Sequence, residues 1–168
     1  YNGKNIDRAF NFQDGLARVM NEDGLFGFVD KTGKMVIEPQ YDYIRYNFRY
    51  GKAIVYKPQE GGHDIWADQD WAVIDREGNE LFASNTGKMN PVSHFGPNDV
   101  MIVSTGYGMK FKTINSKGEK VAMLDIDDIW GAFDDGIVYY AGDLDNRKMG
   151  IMDLEGNVII EPQYEDTT

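Results

Sequence analysis

Cysteine is absent from this sequence, and histidine occurs only at His63 and His94. Without cysteine the chain has no disulfide, no thiolate nucleophile and no cysteine-based zinc site. The absence leaves the cellular compartment open, because secreted proteins also exist without disulfides. The stability and function of this protein must therefore rest on other side chains.

Basic residues are the second shortage. The chain has 17 Lys and Arg against 28 Asp and Glu, which gives a formal net charge of −11. Proteins that bind nucleic acids neutralise phosphates with clustered Lys and Arg. We therefore expect no nucleic-acid partner.

Long apolar runs are also missing. No stretch approaches the roughly 20 apolar residues that span a bilayer as a helix, so we expect no membrane span in this chain. The first residue is Tyr1 rather than methionine, and we expect the sequence to be a processed or trimmed product.

An internal repeat is what the sequence does contain. The phrase I-E-P-Q-Y occurs at 37–41 and again at 160–164, each time after an Asp-x-x-Gly turn. Weaker copies of the turn phrase begin at Asp75 and Asn115. The turn glycines lie 38 to 45 residues apart, at Gly33, Gly78, Gly118 and Gly156. Repeats of this length predict tandem structural units, here approximately 10–45, 46–85, 94–128 and 130–168 of a single repeat domain, 1–168.

Each unit predicts about three short strands. In the first unit they are Leu16–Met20, Phe26–Asp30 and Lys34–Ile37, with turn residues between them. Asp30 and Asp75 are expected to accept hydrogen bonds from amides of their own turns. No helix is predicted, and residues 41–48 and 124–133 are interpreted as connectors. The fold class is all-β: four tandem repeats, about twelve antiparallel strands, stacked or closed into a ring or propeller-like array.

Two prolines and two glycines need a structural reason. Pro39 and Pro162 cannot donate to a strand ladder, so they should end the third strand or lie on a sheet edge. Gly27 and Gly150 lie inside predicted strands, where glycine points to a bulge or to a bulky neighbour. The hypothesis for that neighbour is an aromatic ring from Phe12, Phe48, Phe95 or Phe133.

These phrases together resemble the bacterial WG-repeat family, in which a Trp-Gly pair precedes the Asp-x-x-Gly turn. The first unit matches best, from Phe12 to Asp42. The pairs interpreted as Trp-Gly equivalents are Phe26-Gly27, Trp71-Ala72, Lys112-Thr113 and Met149-Gly150. The resemblance implies a β-rich tandem array without catalytic residues to carry over. It also implies a place among secreted or cell-envelope proteins of bacteria.

No catalytic motif stands out. There is no G-x-S-x-G elbow and no phosphate-binding G-x-x-x-x-G-K-[ST] loop, and the acidic clusters do not fit an EF-hand. We expect a non-enzymatic protein without cofactor or metal. A zinc site at the two histidines and a weak calcium site at the acidic loops stay open as alternatives.

Binding residues are expected in the irregular second and third units, where the loops are longest. The candidate ligand-binding residues are His63, Trp66, His94 and Tyr107. Tyr139 and Tyr140 are two further aromatics without a clear repeat role. The expected function is an interaction module with a protein partner. The alternatives are a surface module that binds carbohydrate or peptidoglycan, and a hydrolase that uses acidic loop residues.

Overall fold

The computed structural model describes residues 6–58, 70–84, 89–105, 110–142 and 145–165, and these form sixteen strands in four antiparallel sheets. Sheet 1 contains β1 (Ile6–Gln13), β2 (Leu16–Asn21), β3 (Phe26–Asp30) and β4 (Met35–Tyr41). Sheet 2 contains β5 (Tyr43–Arg49), β6 (Lys52–Tyr56), β7 (Trp71–Asp75) and β8 (Glu80–Ser84). Sheet 3 contains β9 (Met89–Pro91), β10 (Val100–Thr105), β11 (Lys110–Asn115) and β12 (Lys120–Leu124). Sheet 4 contains β13 (Asp128–Ala132), β14 (Gly136–Ala141), β15 (Lys148–Asp153) and β16 (Val158–Tyr164).

The predicted all-β architecture of four repeats is confirmed, and each repeat is one sheet. Sheets have four strands rather than about three, because each sheet has a first strand that was not predicted, and in sheets 2 and 4 it lies in a predicted connector. Residues 43–49 form β5 and residues 128–132 form β13, the first strands of sheets 2 and 4. Both strands are bulged against their partners. A bulge interrupts the two-residue alternation by which a strand is recognised in sequence. Within the described residues there is no helix that could cross a membrane.

The sheets group into two compact units, Tyr1–Gly87 and Lys88–Thr168. The first unit contains sheets 1 and 2, and one hydrophobic cluster holds them together. The second unit contains sheets 3 and 4, with a cluster of its own. The Thr113 hydroxyl adds a buried link in the second unit, because it donates to the Leu154 carbonyl at 2.8 Å and accepts from the Ala122 amide.

Equivalent faces of the sheets meet in both units. Face A of a sheet carries the positions of Phe28, Ile37 and Tyr41 in sheet 1, and face B carries the positions of Phe12, Ala17 and Val19. In the first unit, face A of sheet 1 packs on face B of sheet 2. The residues that sheet 2 contributes include Ile44, Phe48, Ala53 and Val55. In the second unit, face A of sheet 3 packs in the same way on face B of sheet 4, through Val100, Ile102 and Phe111 on one side and Ile137, Tyr139 and Met152 on the other.

The predicted turn chemistry is present in every sheet. Asp30 Oδ1 accepts from the Thr32 and Lys34 amides, and Asp75 Oδ1 accepts from the Glu77 and Asn79 amides. The glycine of each turn has a φ between +78° and +87°, which favours glycine over other residues. We call Asp30, Asp75 and Asp153 the turn carboxylates. Asn115 takes the same place in sheet 3.

The turn carboxylates have lowered pKa values for a shared reason. At Asp30 the largest cause is the hydrogen bond from the Thr32 hydroxyl, and at Asp153 it is the bond from the Asn157 side chain. At Asp75 desolvation raises the pKa, but hydrogen bonds from Asn79 and from turn amides together outweigh it. Hydrogen bonds donated to a carboxylate favour its charged form.

A wide bulge explains the glycines at 27 and 150. Phe26 pairs with Tyr41 and Phe28 with Ile37, so Gly27 alone faces the three residues 38–40 of β4. A Cβ added to Gly27 would lie 2.4 Å from the Ile37 carbonyl oxygen and 2.7 Å from the Pro39 nitrogen. In sheet 4, Gly150 faces residues 161–163 of β16 in the same way. The two prolines therefore lie within edge strands, at the bulge. This confirms the prediction that they lie on a sheet edge.

The predicted aromatic neighbours were wrong. Backbone atoms of β4 occupy the space beside Gly27. At Gly150 a Cβ would meet the Ile160 carbonyl oxygen at 2.8 Å and the ring of Tyr139 at 2.9 Å. Tyr139 lies directly across from Gly150 on β14, and none of the three atoms nearest to the added Cβ belongs to Phe95 or Phe133. The sequence signal for this pairing was the I-E-P-Q-Y phrase itself, because the proline marks the bulge.

The third repeat needs a correction of one residue. Val103 pairs with Lys112 as Val19 pairs with Gly27, so Phe111-Lys112 occupies the Trp-Gly position rather than Lys112-Thr113. Sheets 2 and 3 have Ala72 and Lys112 where sheets 1 and 4 have glycine. Neither strand has a wide bulge opposite that position: Ala72 pairs with Ala83, and Lys112 pairs with Met123. Glycine and the wide bulge therefore occur together or not at all.

Candidate functional site

Three of the four predicted binding residues, His63, Trp66 and Tyr107, lie outside the described residues. The fourth, His94, lies between β9 and β10 in the second unit. The structure brings it to the β13–β14 turn, where its Nε2 is 3.1 Å from Asp134 Oδ1. The two side chains are 20% and 32% exposed. The contact between His94 and Asp134 therefore links sheets 3 and 4.

The backbone around His94 fits the same role. Gly96 approaches the β13–β14 turn so closely that a Cβ on it would lie 2.2 Å from the Asp134 carbonyl oxygen. The neighbouring Ser93 is buried, and its hydroxyl accepts from the Ile102 amide and donates to the His94 carbonyl. These two hydrogen bonds occupy the serine hydroxyl and fix the conformation of the loop.

The predicted aromatics Tyr139 and Tyr140 are buried, at 3% and 5% exposure, which corrects the expectation that they are available to a ligand. Tyr139 covers Gly150, and the Arg147 guanidinium lies 4.0 Å from the Tyr140 ring centroid. Two aromatics that sequence reasoning missed are exposed instead. Trp130 and Phe133 are each 53% exposed at β13 and just after it. The bulge in β13 hid them, because it shifts the alternation that tells inward from outward side chains.

A groove lies beside edge strand β12, and we call it the β12 groove. Its volume is 380 Å³, and it is lined by Lys110 and by residues 123–127. Met123 is 53% exposed, which gives the groove an apolar side chain at its surface. Asp125 is exposed, and Asp127 Oδ2 accepts from the Gly142 amide at 2.9 Å. The lining therefore combines one exposed apolar side chain with two carboxylates and one ammonium group.

Metal ligation has no support among the residues that the structure describes: no three His, Asp or Glu side chains are grouped to hold an ion. The acidic clusters are engaged in other contacts. Asp128 forms an ion pair with Arg147 at 3.7 Å, and Asp134 contacts His94.

Comparison with known proteins supports the repeat reading. Residues 26–57 and 149–168 match the family model of the WG containing repeat. Among curated proteins nothing matches the chain. Among solved structures it is similar to a protein of unknown function from Bacteroides caccae, with 20% identity and a TM-score of 0.41. That similarity covers 90% of this chain and 64% of the other, so the present chain spans less than two thirds of that protein. The resemblance to WG repeats is thus confirmed for the two matched segments, which cover β3 to β6 and β15 to β16.

Proposed function

We propose that the chain is a non-enzymatic interaction module that binds an extended segment of a partner protein in the β12 groove. The observation that carries the proposal is the groove itself, with the exposed Met123 beside Asp125 and Asp127. Recognition of a protein segment combines apolar pockets with a few polar groups that fix orientation. The β12 groove offers both on one strand and the link that follows it.

Charge favours a basic segment. The chain has a formal net charge of −11, and two of the three charged groups in the groove are carboxylates. Complementary charge raises the association rate and selects the partner. A segment with one apolar residue flanked by Lys or Arg fits these groups best.

Strand addition is the mode of binding that the edge favours. β12 is a terminal strand of sheet 3 and contains no proline, so none of its residues lacks an amide donor. An extended peptide can pair with such an edge while its side chains enter neighbouring pockets. The terminal strands β4 and β16 have a proline and a wide bulge, which make them poorer templates.

The experiment is to pan a phage-displayed library of random peptides against the 168-residue chain. Enriched peptides should contain an apolar residue beside Lys or Arg and should lose binding to Met123→Asp and to Asp125→Lys. Leu81→Asp is the matched control, because Leu81 is 39% exposed on the terminal strand β8 of another sheet. Enriched peptides that bind all three variants equally would refute the groove as the site, and failure to enrich any peptide would refute the function.

A carbohydrate ligand is the second candidate, and the exposed Trp130 favours it. Flat aromatic rings at a surface stack on sugars, and Asp128 on the same strand and its ion-pair partner Arg147 are hydrogen-bonding groups. A glycan array separates the two proposals. Glycan binding that Trp130→Ala abolishes and Met123→Asp leaves intact would replace the protein partner with a sugar.

A further inference from the structure

One sheet face of the second unit is more exposed than its counterpart in the first unit. Face A of sheet 4 repeats face A of sheet 1 position by position, because Met149 pairs with Tyr164 as Phe26 pairs with Tyr41. Yet Tyr41 is 7% exposed and Tyr164 is 54% exposed. The next two positions differ in the same sense: Phe28 and Ile37 are buried, whereas Ile151 and Ile160 are half-buried.

The repeats themselves show what covers a face A. In the first unit, Phe48 of sheet 2 lies edge-on to Phe28, with ring centroids 4.7 Å apart. Ile44, Ala53 and Val55 complete that contact. In the second unit, face A of sheet 3 is covered in the same way by face B of sheet 4. In both units the occupant of face A is face B of a sheet of the same kind.

The chain also has a face B with an exposed anchor. Phe12 occupies in sheet 1 the place that Phe48 occupies in sheet 2, and it is 47% exposed against 2% for Phe48. Ala17 and Val19 on the same face are already buried. Contact with another molecule would therefore be made by β1, through Phe12 and the exposed Ala9.

We propose that a second copy of this chain docks its β1 on face A of sheet 4, with Phe12 of one copy placed against Ile151 and Tyr164 of the other. The contact joins two different faces, so it is heterologous and adds copies head to tail. Each copy carries a formal charge of −11, and salt that screens this repulsion should strengthen the association. This inference goes beyond the proposed function and uses a different surface, so either can fail without the other.

The experiment measures the mass of the chain by sedimentation over a range of concentrations, at low and at high salt. The expected result is reversible association that increases with both. Phe12→Glu alone and Tyr164→Glu alone should each give a monomer. An equimolar mixture of these two variants should form a one-to-one dimer, because each variant retains the face that the other has lost.

Controls separate docking from misfolding and from added charge. Phe12→Ala and Tyr164→Ala should show the same pattern without new charge, and Leu81→Glu, on the exposed edge of sheet 2, should associate like the parent chain. Each variant should keep the parent melting temperature, because both side chains are about half exposed. A monomer at every concentration, or a mixture of the two variants that stays monomeric, would overturn the proposal.

Discussion

Replacing Gly27 with alanine tests the central structural claim, that the wide bulge of β4 excludes any side chain at this position. The new Cβ would lie 2.4 Å from the Ile37 carbonyl oxygen and 2.7 Å from the Pro39 nitrogen, whereas ordinary contacts of a Cβ are 3.4–4 Å. Both obstructing atoms belong to the backbone. The bulge must therefore retreat by roughly 1 Å, because no side chain can rotate away.

The expected cost follows from two opposing effects. Inserting an atom into a filled space costs about 1–3 kcal/mol, and a backbone obstacle places this case at the upper end. Alanine in a strand is about 0.5–1 kcal/mol more favourable than glycine, since alanine loses less conformational freedom than glycine on folding. We expect Gly27→Ala to lower the free energy of unfolding by about 2 kcal/mol.

Urea unfolding of four proteins forms a double-mutant cycle: the parent, Gly27→Ala, a deletion of Glu38 and Pro39, and both changes together. The deletion leaves one residue opposite position 27, as Ala83 is opposite Ala72 in sheet 2. In that background Gly27→Ala should be neutral or stabilising by up to about 1 kcal/mol, so the coupling energy should be about 2–3 kcal/mol. A cost below about 1 kcal/mol in the parent, or an unchanged cost after the deletion, would refute the reasoning.

Two further predictions concern hydrogen bonds that the repeats share. The turn carboxylates have pKa values below the ordinary 3.8, so they stabilise the fold above that pH and lose this contribution as the pH falls through their lowered values. Asp153→Asn should keep the turn, as Asn115 does in sheet 3, and should flatten the decline in unfolding free energy that urea titration detects below about pH 4. Thr113→Val should cost about 1–3 kcal/mol, because it leaves the buried Leu154 carbonyl without its donor. Thr105→Val, at a long and exposed contact, is the control and should cost less than about 0.5 kcal/mol; equal losses for the two threonine variants would contradict the assignment.

Local chemistry made much of this fold predictable. The Asp-x-x-Gly turns identified four repeats, because an aspartate that bonds its own turn and a glycine at positive φ have a distinct sequence pattern. Strand β3 begins and ends where alternation predicted, at Phe26–Asp30. These features depend on residues within a few positions of one another.

The first strands of the sheets were harder to predict, for a physical reason. β5 has two shifts of register against β6, and β13 has one against β14. Each shift moves the following side chains to the other face, so no single period runs through these strands. The same shift concealed the exposed Trp130. Of the candidate binding residues only His94 is described, and its contact with Asp134 depends on a turn 40 residues away that the sequence does not reveal.

The joint occurrence of glycine and wide bulge has a consequence for how such repeats diverge. A glycine facing an unbulged strand costs about 0.5–1 kcal/mol, whereas a larger residue facing the bulge costs about 2 kcal/mol or more. The accessible evolutionary route from sheet 1 to sheet 2 therefore loses Glu-Pro first and replaces the glycine afterwards. In the reverse direction the glycine must come first. The two sites are epistatic, and the order of mutation is set by the Ile37 carbonyl oxygen, which occupies the space that a Cβ at position 27 would need.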